Sequence, residues 1–173
     1  MSIPGSVNPL FLGAAGQTTG GGEYQIERSV RFNSPDSAYL SRTPASSGNR
    51  KTWTWAGWVK RSNLGTTQGL FGSVNAATQQ RFSFISDKLY WVWAQGTEWR
   101  NPDAVFRDAS AWYHIVLASD TDNATAANRI RIYVNGTEQT LTGSTVSPGE
   151  QWDINTTIQH RIGTFNDGGS GND

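Results

Sequence analysis

Nine residues, Thr52–Lys60, constrain this chain more than any others. They read TWTWAGWVK, and at the two-residue period of a strand they divide cleanly. Trp53, Trp55, Gly57 and Val59 take one face; Thr52, Thr54, Ala56, Trp58 and Lys60 take the other. Aromatic and β-branched side chains suit a pleated, half-buried surface. Both faces carry aromatic rings, so this strand is expected inside a sheet rather than at its edge.

Shorter β signals recur on both sides of it, separated by turn residues. Strands are expected at Ser29–Asn33, Ala38–Arg42, Gly69–Val74, Arg81–Ile85, Lys88–Trp93, Trp112–Ser119, Arg129–Val134, Thr137–Leu141 and Ile158–Gly163. Ser86-Asp87 and Asn135-Gly136 are two-residue hairpin signals. Asp120–Asn128 has room for one helical turn. The fold class is therefore all-β, an antiparallel two-sheet sandwich. Trp53, Trp55, Trp58, Trp112, Ile115, Leu117, Ile130, Ile132 and Ile162 are expected to fill its core.

The other sequence features restrict partners. Fourteen basic residues balance fourteen acidic ones, which argues against a nucleic-acid surface. Arg50, Lys51, Lys60 and Arg61 flank the central strand and read as its solvated ends. Cysteine is absent, so there is no disulfide framework. No apolar run is long enough to span a membrane. The N-terminus lacks the basic-then-apolar order of a signal peptide, so synthesis in the cytoplasm is expected. Residues 1–23 form a glycine-rich arm with almost no charge, Glu23 being its one charged side chain. Ile3, Val7, Leu10, Phe11 and Leu12 give it apolar surface suited to docking on a partner; a disordered leader is the alternative. Residues 24–173 form the domain.

Five segments resemble, in order, the concanavalin A-like lectin and laminin-G-like jelly-roll family. They are SVRFNSPDSAYLSRTP (29–44), TWTWAGWVKR (52–61), AWYHIVLASD (111–120), RIRIYVNG (129–136) and QHRIGTFND (159–167). The resemblance implies a jelly-roll sandwich behind an extended N-terminal arm. It also implies one or two further strands after the RIG segment, so the domain is expected to lack its closing strands. A neighbouring chain could supply them, or the sequence could be part of a longer protein. More narrowly, the arm and domain together resemble virion proteins of marine tailed phages, such as tail fibres and related appendages. That resemblance implies a structural virion protein, other virion proteins as partners of the arm, trimers if it is a fibre, and a host-surface glycan as a further partner. A free carbohydrate-binding lectin is the alternative, and a glycoside hydrolase the third reading.

Catalytic chemistry finds little support in the residues. The hydrolases of this family resemble one another in an E-x-D-x-E strand, and Glu23, Glu27, Glu98, Glu138 and Glu150 form no such pattern. His114 and His160 sit in different strands and read as packed histidines. The chain is therefore expected not to be an enzyme. For sugar, Trp99, Arg100 and Asp103 combine an aromatic ring with polar hydrogen-bonding groups in what reads as a loop. For calcium, the one cofactor the residues admit, Asp120, Asp122 and Asn123 place side-chain oxygens close together, with Asn166-Asp167 as further donors. A solvated turn is the competing reading. Asn123, Asn135 and Asn155 open N-x-T sequons that read as chance in a threonine-rich chain.

Overall fold

The structure is a computed structural model that describes residues 28–75, 77–94 and 96–164. The docking arm, with Ile3, Val7, Leu10, Phe11 and Leu12, and the terminal Asn166-Asp167 lie outside the described residues. The chain divides into two units, Met1–Arg31 and Phe32–Asp173. Of the first, residues 28–31 form neither helix nor strand. All the described strands belong to the second.

Eleven strands are described: β1 Leu40–Arg42, β2 Thr52–Lys60, β3 Gln68–Ser73, β4 Arg81–Ile85, β5 Lys88–Trp93 and β6 Glu98–Pro102, then β7 Trp112–Asp120, β8 Ile130–Val134, β9 Thr137–Glu138, β10 Leu141–Gly143 and β11 His160–Ile162. They build two antiparallel sheets of a jelly-roll sandwich. One has the order β1-β11-β3-β4-β5-β6-β10 and the other β2-β7-β8-β9. Alternation decides which side chains enter the space between them. Trp53 of β2, Ile115 and Leu117 of β7, and Ile130 and Ile132 of β8 meet Phe82, Phe84, Leu89, Trp91 and Trp93 of the larger sheet. Phe106, Val146, Trp152 and Ile154 complete this core from connecting segments.

Turn chemistry sets the register. Ser86 and Asp87 have φ of 46° and 71°, and Asn135 and Gly136 have 50° and 80°. Both pairs adopt the left-handed conformation that matches strand twist in two-residue hairpins. At Gly143 (φ 108°) a Cβ atom would collide with the backbone oxygen and ring of Trp99. Only glycine lets β10 lie this close to β6.

Several expectations need correction. Among the described residues β2 is the outermost strand of its sheet, not an interior one. Its second aromatic face is an exposed one: Trp58 is 51% and Trp112 of β7 is 45% exposed, while Ile162 is 39% exposed on short β11. Trp55 is only partly buried. Residues 29–33 form no strand, because alternation supplies a face but a strand also needs a paired edge. The run Thr137–Leu141 is split, since β9 pairs with β8 whereas β10 crosses to β6 in the other sheet. Arg61 is not a solvated strand end. Its guanidinium is buried against Asp87 (2.9 Å) and the Phe84 ring, and it donates to Gln68 and to the Phe106 carbonyl.

Candidate functional site: an aromatic face on the smaller sheet

β2 and β7 pair along their whole lengths, with Trp58 opposite His114 and Lys60 opposite Trp112. Trp58 and His114 therefore project from the same outer face, and their rings pack at 5.2 Å with a 45° tilt. Trp112 follows one strand position away on that face. The β7–β8 register adds Tyr133 opposite Val116 and Arg131 opposite Ala118. Burial and a hydrogen bond with Glu138 raise the Tyr133 phenol above its usual range, so it presents a neutral hydroxyl.

The result is two large, water-exposed indoles and an imidazole on a rigid pair of strands, flanked by Lys60 and Tyr133. Such rings offer flat apolar surface with a polar edge, at little conformational cost. This is surface for stacking or docking. Sequence reasoning placed Trp58 and Trp112 in the core. The signal that could have found them is the face they share, opposite the one holding Trp53, Ile115 and Leu117.

The residues picked from sequence as a sugar site are not brought together. Trp99 is on strand β6, not in a loop. It packs edge-on against Tyr90 at 5.5 Å, on the outer face of the larger sheet. Arg100 takes the opposite face by alternation. Asp103 lies beyond the strand end, its side chain 84% exposed and 3.7 Å from the Lys88 ammonium.

Of the calcium candidates, Asp120 and Asn123 stay in contact and Asp122 turns away. Asp122 turns to Lys51, at 3.0 and 3.3 Å. Asp120 accepts from the Asn123 amide at 3.1 Å, and the Asn123 oxygen accepts from the Thr125 N–H. Among the described residues no three His, Cys, Asp or Glu side chains gather in a metal-holding group.

His114 belongs to the aromatic face. His160 is buried, stacked on Phe71 at 6.0 Å, and its Nε2 accepts the Asn155 N–H at 3.1 Å. Burial lowers its pKa below the ordinary histidine value. Next to it Asp153 accepts from Asn75 (2.7 Å) and Thr78 (2.5 Å), which ties the β3–β4 loop to the segment before β11. Among the described residues no helix is long and apolar enough to cross a membrane.

A two-sheet antiparallel jelly-roll sandwich of this kind is a lectin-like β domain. The family comparison agrees: residues 34–172 match the model of the concanavalin A-like lectin/glucanases superfamily, and the chain belongs to that family. Solved structures supply more distant neighbours. One, of botulinum neurotoxin type C, concerns its interaction with two ganglioside molecules; another is the binding domain of botulinum neurotoxin DC in complex with rat synaptotagmin II. Each is similar at a TM-score of 0.43 and 13% identity, over 74% of this chain and 34% of that one. This chain thus spans about a third of the length of those chains. No curated protein matches.

Proposed function

We propose that the chain is a non-enzymatic glycan-binding domain that works through the outer face of the smaller sheet. One observation carries this reading: Trp58 and Trp112 stand about half exposed on neighbouring strands of an ordered sheet, braced by His114. Leaving two indoles in water forfeits burial worth ~25 cal/mol per Å². A sugar ring stacking on them recovers part of it, and Lys60, Arg131 and Tyr133 supply hydrogen-bonding groups at the margin. A glycan array probed with the intact chain and with Trp58→Ala and Trp112→Ala tests the reading. Binding by the intact chain that both variants lose supports it; unaltered binding by both moves the site elsewhere.

The setting we propose is a virion appendage of a tailed phage. The support is the resemblance of the five segments and of the apolar arm, residues 1–23. In this setting the arm docks on other virion proteins and the domain faces the host surface. Among the described residues the outer edge of β2 faces no strand, and it offers further backbone pairing to a neighbouring chain. Deleting residues 2–22 and measuring incorporation into particles is the test. Unchanged incorporation removes the arm from the docking role.

A further inference from the structure

The larger sheet overhangs the smaller one at the β2 edge. Trp53 and Trp55 of β2 pack on Phe71 of β3, with ring centroids 6.5 and 6.4 Å apart, so β2 lies over β3. The larger sheet continues past that point with β11 and β1. Leu40 of β1 and Ile162 of β11 stand in one cross-strand row with Phe71. They therefore face inward, as Phe71 does, yet Leu40 is 50% and Ile162 39% exposed. Among the described residues no strand of the smaller sheet lies over them. Trp55 and Val59, on the inner face of β2, are also only partly buried.

The edge of β2 beside this gap is a row of open backbone groups. In an antiparallel pair, residues that exchange N–H···O bonds alternate with residues that do not. The Thr121 N–H donates to the Lys51 carbonyl just before β2, and this sets the phase. Trp53, Trp55, Gly57 and Val59 bond to β7, while Thr54, Ala56 and Trp58 turn their N–H and C=O groups outward. The Thr52 N–H is already taken by the Asn49 side chain at 2.9 Å, which closes that end. The register of β2 on β7 has no bulge, so the open row runs unbroken. An edge of this kind accepts a further strand.

We infer that the gap takes one extended segment of another protein chain, which pairs with Thr54, Ala56 and Trp58 and lays apolar side chains over Leu40 and Ile162. The open backbone row asks for a strand. The exposed floor asks for apolar side chains at every second position. Arg42 shares the inner face of β1 with Leu40. It is exposed and makes no ion pair among the described residues, so it favours an acidic residue in the segment. A second copy joined β2 to β2 does not fit, because β11 and β1 of each copy would run into the larger sheet of the other. A single strand fits where a folded domain does not. The inference rests on the open β2 edge proposed above and names its partner; it needs neither the glycan face nor the arm.

The test is amide hydrogen exchange of the full chain, followed by NMR, with the synthetic peptide DTVTITVT as the strand. Binding should slow exchange at Thr54, Ala56 and Trp58 by about tenfold or more and leave Trp55 and Gly57, already paired with β7, as they were. Ala56→Pro removes an outward donor without touching a bond to β7, and Ile162→Asp places a charge in the apolar floor. Each should weaken binding by about tenfold. Arg42→Glu should weaken binding of DTVTITVT and favour KTVTITVT instead, a reversal that a misfolded variant would not show. Thermal melts confirm that each variant is folded. The inference is overturned if the peptide leaves exchange at Thr54, Ala56 and Trp58 unchanged, or if Arg42→Glu still prefers DTVTITVT. It is also overturned if protection there grows with chain concentration alone, which would make a second copy the partner. Protection already complete in the dilute free chain would overturn it too, since the chain would then fill the gap itself.

Discussion

Trp152 stands edge-on to Trp91, with ring centroids 5.4 Å apart and planes at 87°, and donates its indole N–H to the Ser119 hydroxyl at 2.8 Å. Trp93 approaches the same ring at 5.6 Å. Trp91 comes from one sheet, Ser119 from the other, and Trp152 from the segment that returns to them. One side chain thus joins both layers and satisfies its own polar atom, as a buried tryptophan requires. Trp152→Ala should cost ~3–5 kcal/mol in urea unfolding. Trp152→Phe, which keeps an aromatic ring and loses the indole N–H while the Ser119 hydroxyl still donates to the Lys51 carbonyl, should cost less.

The exposed indoles should behave oppositely. Trp58→Ala and Trp112→Ala should change stability by no more than ~1 kcal/mol, since surface substitutions outside the core cost little. Trp53→Ala on the inner face of the same strand should cost ~3–5 kcal/mol. Urea titrations of the three variants check the assignment of faces directly.

Asp87 is an acid-labile clamp. It accepts from the Gly65 N–H at 2.6 Å and from the Arg107 and Arg61 guanidinium groups, and these contacts hold its carboxyl below the usual range, the Gly65 bond foremost. A depressed carboxylate contributes stability above its unfolded value of about 3.9 and loses it as pH falls through the lower folded value. Melting temperatures measured from pH 6 down should therefore fall below about pH 4, and Asp87→Asn should flatten that fall.

His160 acts in a higher window. Burial lowers its folded pKa below the unfolded value of about 6.5, so the unfolded chain binds the proton more readily. Stability from this group is complete above about pH 6.5 and declines as pH drops toward the folded value. His160→Gln, whose side-chain oxygen can still accept the Asn155 N–H, should make stability between pH 7 and 5 less pH-dependent. Circular-dichroism melts across that range provide the measurement.

Asp122 is paired with Lys51, and the Asn123 oxygen caps a backbone N–H, so the calcium candidates are already committed to protein partners. Millimolar calcium or a chelator should leave the melting temperature unchanged. A calcium-dependent rise that Asp122→Ala removes would reverse this expectation.

Much of the architecture is legible in the residues. The hairpin at Ser86-Asp87 and that at Asn135-Gly136 fall where turn chemistry puts them, because only a few residues accept a left-handed backbone. The faces of β7 and β8 follow from alternation. What alternation cannot reveal is which face meets the other sheet when both carry apolar rings, hence Trp58 and Trp112. Nor does a local pattern reveal tertiary partners. Arg61 looks like a solvated cation until Asp87 arrives from a distant hairpin, and Arg129 looks outward until its guanidinium caps the carbonyls of Asn123 and Val146. Trp152 gives no strand signal at all, because it packs from an irregular segment. The candidate site was illegible for the same reason: Trp99 and Arg100 are neighbours in sequence but alternate across β6, and Asp103 lies beyond its end, while the aromatic face joins residues from two strands.

The central claim is that Trp58 and Trp112 form the glycan-contact surface. An NMR titration of indole N–H resonances with the best ligand from a glycan array tests it most directly, because the eight tryptophans report separately. The account predicts saturable shifts at Trp58 and Trp112, with Trp91 and Trp152 unmoved. Shifts confined to Trp99, or binding that leaves both Trp58 and Trp112 unchanged, would contradict it.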